Sequence, residues 1–127
     1  MKNGHLLLIA VAAFFSSDAG GRARAADAVA GLAVFKSQCS ICHSVQAGRN
    51  ITGPSLAGIL GRKVGQAPNF HYSSANKESG LTWDEPTLDR YLTSPSTVVP
   101  HTLMTYPGLK DAEKRANLIA YLSTLPS

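Results

Sequence analysis

The sequence predicts an all-α domain with a large share of loop, and three observations carry that class. Three segments repeat apolar residues at the three- and four-residue spacing of a helix face. No run alternates apolar and polar residues with the period of two that a half-buried strand requires. Five glycines and two prolines fall between Gly48 and Pro68, and three more prolines fall between Ser94 and Leu109. Both stretches therefore read as loop.

The first helix is expected over Asp27 to Ile41. Asp27 is a plausible N-cap, and Ala28, Leu32 and Phe35 share one face. Gly31 lies mid-helix, where it costs stability unless something packs against the bare backbone. The following loop has room for a short helical turn around Ser55 to Leu60. Ser73 to Ser79 forms a second short helix closed by Gly80. A firmer helix starts after Thr82: Thr82-Trp83-Asp84-Glu85 fits a capping box, with Asp84 as the rival cap. Leu88, Tyr91 and Leu92 are its apolar face, and Pro95 stops it. Ser94 to Leu109 then reads as extended loop. The last helix spans Asp111 to Leu125, with Leu118, Tyr121, Leu122 and Leu125 on its buried side.

Composition excludes several classes. The 127 residues fit one domain, with no room for a cofactor domain beside a substrate domain. At 44% hydrophobic and 16% charged the chain is not disordered, and no apolar run reaches the roughly 18 residues of a membrane span. A net charge of +4 is too mild to argue for nucleic acid. Two cysteines make no disulfide framework, and four scattered histidines make no metal-binding tract.

The start of the chain reads as an export signal. A basic start is followed by the apolar run Leu6 to Phe15 and a polar stretch ending in Ala23-Arg24-Ala25, an A-x-A cleavage pattern. Residues 1–25 are thus expected to be removed, leaving a domain over residues 26–127. Losing Lys2, Arg22, Arg24 and Asp18 leaves nine basic and seven acidic residues, a net of +2. Seven aromatics in that remainder look thin for a self-sufficient core, which a large apolar cofactor would fill.

Cys39-Ser40-Ile41-Cys42-His43 is C-x-x-C-H, the attachment pattern for c-type haem. Two thiols one helical turn apart can each add to a porphyrin vinyl group, and the adjoining histidine then lies under the iron as its proximal ligand. A zinc site would need two further ligands, from His71 and His101. A thioredoxin-like pair would need a sheet that this chain lacks. An electron-transfer iron wants a sixth ligand. Met104, in the proline-pinned stretch Val99 to Gly108, is the only methionine besides Met1. A thioether favours ferrous iron and raises the potential. His71 and His101 are the rival ligands, and a gap-filling core methionine is the bland alternative.

These residues and others along residues 26–127 resemble class I cytochrome c, the family of the mitochondrial protein and its soluble bacterial relatives. The resemblance rests on Gly31 and Phe35, Gly53-Pro54-Ser55-Leu56, Gly61-Arg62-Lys63 and Gln66-Ala67-Pro68. It continues through Phe70-His71-Tyr72, Ala75-Asn76-Lys77, Gly80-Leu81-Thr82-Trp83, Tyr91-Leu92, the Met104 loop and Leu118 to Leu122. It implies the small cytochrome c fold: three main helices, short helical turns and long loops wrapped around one covalently bound haem c. It implies axial ligation by His43 and Met104 and thioether bonds at Cys39 and Cys42. It also assigns roles: the Pro54 carbonyl takes the proximal histidine's ring N–H. Arg62, Tyr72 and Trp83 attend the buried propionate, with Gln66 and Ser73 as candidates beside them. Tyr91, Asn76 and Thr102 surround the methionine. Gly31 and Tyr121 join the first and last helices. Tyr91 and Trp83 would equally serve as core aromatics, and Arg62 as a solvated loop charge.

The chain departs from the family pattern where it meets partners. Leu103 stands where the mitochondrial pattern has lysine, Ser96-Thr97 replaces a lysine pair, and Tyr106 replaces the usual phenylalanine. The loop from His43 to Pro54 is one residue shorter. The expected function is a monomeric periplasmic one-electron carrier and not an enzyme, with no membrane span and no nucleic-acid partner. Its partners would be redox proteins: a quinol–cytochrome c oxidoreductase, a periplasmic dehydrogenase, a terminal oxidase or a photosynthetic reaction centre. The rival readings are a haem enzyme or gas sensor with an open sixth position, and a cofactor-free binding module.

Overall fold

Asp27 caps the first helix of the described residues. Its carboxylate accepts from the Val29 and Ala30 amides, satisfying donors that the first turn leaves without partners. The computed structural model describes residues 25–127. The expected export signal lies outside the described residues, apart from Ala25. Five helices follow in order: α1 (Ala28–Gln38), α2 (Ser74–Lys77), α3 (Glu85–Thr93), α4 (Pro95–Val98) and α5 (Ala112–Ser123). Among the described residues there is no strand, only an isolated antiparallel bridge between Lys63 and Thr82.

The frame is the crossing of α1 and α5. Gly31 is buried there, and a Cβ on it would land on the Asn117 backbone carbonyl and within 2.7 Å of Tyr121 Cβ. The bare backbone is what lets the two helices approach. Phe35 packs on Tyr121 with ring centroids 5.7 Å apart, and the Asp27 amide donates to Asn117 Oδ1 at 2.7 Å. Leu118 and Leu122 complete the seam, 1% and 3% exposed. The third wall is α3, which buries Leu88, Tyr91 and Leu92. Of the two candidate caps it uses Asp84, whose side chain accepts from the Thr87 amide.

Three expectations need correction. The first helix ends at Gln38, not Ile41, because the chain tightens into turns over the cysteine motif, with the Cys42 and His43 amides both bonded to the Cys39 carbonyl. The stretch from Ser94 is not all extended. Pro95 ends α3 but starts α4, since its fixed φ and missing N–H suit a first helical position. Around Ser55 to Leu60 there are only isolated turns, with the Ile59 amide on the Leu56 carbonyl.

Candidate functional site

The cysteine motif sits at the end of α1, where Cys39 caps the helix and donates its amide to the Phe35 carbonyl. Cys39 and Cys42 are both half-buried and make no disulfide with each other. Burial, then the neighbouring Cys42, pushes the Cys39 thiol up to about 11. His43 is oriented from two sides. Its Nδ1–H donates to the Pro54 carbonyl at 2.8 Å, so Nε2 is left as the free donor atom for a metal. On the other side a Cβ at Gly53 would overlap the imidazole, 2.7 Å from Nδ1. Burial holds the His43 pKa below its ordinary value, and the Pro54 hydrogen bond acts the other way.

The methionine side is a chain of hydroxyls. Tyr91, buried on α3, donates to Met104 Sδ at 3.4 Å and lies 3.3 Å from Thr102 Oγ1. Thr102 donates to Asn76 Oδ1 at 3.3 Å and accepts the Met104 amide at 3.3 Å. Because the Thr102 proton goes to Asn76, the single Tyr91 proton is shared between Met104 Sδ and Thr102 Oγ1. Burial raises the Tyr91 pKa, against the hydrogen bonds from Thr102 and Asn76. The structure thus brings Tyr91, Asn76 and Thr102 together beside Met104.

Arg62 belongs to a different cluster. Its Nη1 donates to the Ala57 carbonyl and its Nη2 to the Ser55 carbonyl, each at 3.0 Å. Its Nε is buried and has no hydrogen-bond partner. Burial lowers its pKa, which Tyr72 partly offsets. The Tyr72 hydroxyl accepts the Ala67 amide at 3.1 Å. Trp83 meets Arg62 through the backbone, its amide on the Arg62 carbonyl at 2.9 Å. Its ring lies 4.7 Å from the Tyr91 ring in an edge-on pair, so Trp83 links the two clusters. Gln66 lines a groove of about 480 Å³ with Arg62. Ser73 does not join them: it caps α2 and donates to Asn76 Oδ1 at 2.9 Å, on the methionine side.

His71 and His101 are both exposed, and among the described residues no three His, Cys, Asp or Glu side chains gather to hold a metal. Three features fit a covalently attached haem. They are the His43 ring with Nε2 free, the Gly53 cradle beneath that ring, and an unpaired buried guanidinium N–H suited to a propionate. Two residues were missed by the sequence reading. Asn50 accepts the Ser55 amide at 2.9 Å and donates to the Pro68 carbonyl at 3.0 Å, pinning the loop around Pro54. Gln38 meets Tyr106 at 3.1 Å across the site. Neither carries a sequence signal, since each acts through partners set by the loop path.

An all-α frame with a thiol pair, an oriented histidine and a separate methionine network defines a small c-type haem domain. The family model described as cytochrome c matches residues 28–126. The cytochrome c2 iso-2 of Magnetospirillum molischianum is 50% identical over 100 residues, covering 79% of this chain and 99% of that protein. The cytochrome c2 of Rhodoblastus acidophilus is 52% identical over 100 residues, 78% of this chain and 92% of its own. Among solved structures, cytochrome cH from Methylobacterium extorquens superposes with a TM-score of 0.72 at 42% identity, covering 77% of this chain and 98% of that one. The chain belongs to the cytochrome c family. It is a monohaem electron carrier rather than an enzyme, and Cys39 and Cys42 have the spacing that attaches one haem c.

Proposed function

We propose that the protein is a periplasmic one-electron carrier whose haem is held by Cys39 and Cys42 and ligated by His43 and Met104. The haem supplies a reversible one-electron couple; the chain's residues set its surroundings. His43, fixed by Pro54 and Gly53, presents Nε2. Met104 would supply a soft sulfur donor, which favours the reduced state. Arg62, Tyr72 and Trp83 attend a propionate, and the buried Arg62 Nε is the atom that would otherwise lack a partner. With His43 and Met104 both serving as ligands, little would rearrange on electron transfer and no substrate would be needed. Export rests on the signal pattern in residues 1–25 and is consistent with relatives named cytochrome c2. The partners are redox proteins of the membrane or periplasm, such as a quinol–cytochrome c oxidoreductase, a dehydrogenase, a terminal oxidase or a reaction centre.

The observation that carries this reading is the Tyr91–Met104 hydrogen bond, which sets the one methionine of the described residues in a prepared polar pocket. The ferric near-infrared spectrum tests it. Wild type should show the weak sulfur-to-iron band. Met104→Ala should remain folded, lose the band, become high-spin or misligated and have a lower potential. An unchanged spectrum and potential in the variant would refute methionine ligation.

A further inference from the structure

The segment that carries Met104 is tied down sparsely. The Thr102 amide bonds to the Val99 carbonyl at 3.1 Å, and the Leu109 amide to the Leu92 carbonyl at 2.7 Å. Between those anchors, among the described residues, no backbone–backbone hydrogen bond involves residues 103–108. The span hangs on side chains. On the inner side Met104 is held by Tyr91 through Sδ and by Thr102 through its amide. Beyond that, among the described residues, one further hydrogen bond leaves the span: the Tyr106 hydroxyl donates to Gln38 Oε1 at 3.1 Å.

The position of that bond matters more than its strength. Gln38 is the last residue of α1 and directly precedes Cys39. Tyr106 lies two residues beyond Met104 and packs its ring against the edge of the core. The bond therefore ties the segment bearing the thiols to the segment bearing the methionine, across 68 positions of sequence. A phenylalanine at 106 would keep the ring and its burial but could not form the tie.

We propose that Tyr106 and Gln38 form a latch that holds the methionine segment closed and keeps competing ligands from the iron. This rests on Met104 being the sixth ligand. For an exogenous ligand to bind, Met104 must leave and residues 103–108 must swing out. That movement breaks the Tyr106–Gln38 bond, so the bond favours the closed state by its net worth. Both residues act through Met104 and are positioning residues. Gln38 is exposed and Tyr106→Phe removes one oxygen, so neither change threatens the core.

Imidazole binding to the ferric holoprotein tests the latch, with loss of the near-infrared sulfur band as the readout and denaturant stability measured alongside. Tyr106→Phe and Gln38→Ala should each increase imidazole affinity by about two- to tenfold, the span expected for one hydrogen bond. The double variant should do no more than either single variant, because both remove the same bond. Wild-type imidazole affinity in both single variants would overturn the latch. So would increases that add in the double variant, since these would mean two independent effects. A wild-type ferric protein lacking the sulfur band would overturn the methionine assignment and the latch with it.

Discussion

In the proposed ligation, the hydrogen bond from Tyr91 to Met104 Sδ, at 3.4 Å, would withdraw electron density from the sulfur that Met104 gives to the iron. Ferric iron loses more by that withdrawal than ferrous iron. Removing the hydroxyl should therefore stabilise the oxidised form, and Tyr91→Phe should lower the reduction potential by about 20–60 mV. Potentiometric titration checks this, and a raised potential would show that Tyr91 acts mainly through Thr102 and Asn76. Much of this residue-level arrangement is legible in the sequence, but by different routes. Cys39, Cys42 and His43 are readable as a haem-attachment motif from spacing alone, because that motif is local. Met104 follows from the shortage of other methionines. The partners Pro54, Asn76, Thr102 and Tyr91 come only through family resemblance. Gln38 and the steric role of Gly53 stay hidden, since the atoms they face are fixed by how the loops cross.

Gly31 gives the sharpest test among the elements. By helix propensity alone, Gly31→Ala should stabilise α1 by about 1 kcal/mol. At the crossing the new methyl would strike the Asn117 carbonyl of α5 and crowd Tyr121 Cβ, and overpacking of this kind costs about 1–3 kcal/mol. A net loss of stability on denaturant unfolding is expected, and a net gain would mean that α1 and α5 do not cross at Gly31. The three long helices are legible because their apolar faces and caps are local signals: Asp27, Asp84 and Asp111 each accept from the first-turn amides as side-chain caps. The misread stretches are those where one residue serves two ends. Pro95 stops α3 and starts α4. Cys39 accepts two following amides, which converts the helix's expected last turn into the turns of the cysteine motif.

Taken whole, the molecule presents a mixed surface to its partners. Leu103 is 73% and Ile41 85% exposed. Ser96 and Thr97 are exposed on α4, and Lys36, Lys63, Lys77 and Lys110 are exposed as well. With Leu103, Ser96 and Thr97 replacing lysines of the mitochondrial pattern, long-range steering should be weakened though not abolished. Oxidation by the native partner should accordingly slow only mildly between about 10 mM and 150 mM salt, over which the Debye length shortens from roughly 30 Å to 8 Å. A dependence as steep as that of the mitochondrial protein with its own oxidase would mean that the remaining lysines suffice. The proposed ligation by His43 and Met104 would leave the iron no open position, so that it passes electrons without binding a substrate. Carbon monoxide tests that most directly, because it binds ferrous haem wherever a coordination position is open. The ferrous spectrum should stay unchanged when the gas is admitted to the wild-type protein at neutral pH. Prompt formation of a carbon monoxide complex would contradict the account and identify an open-site haem protein instead.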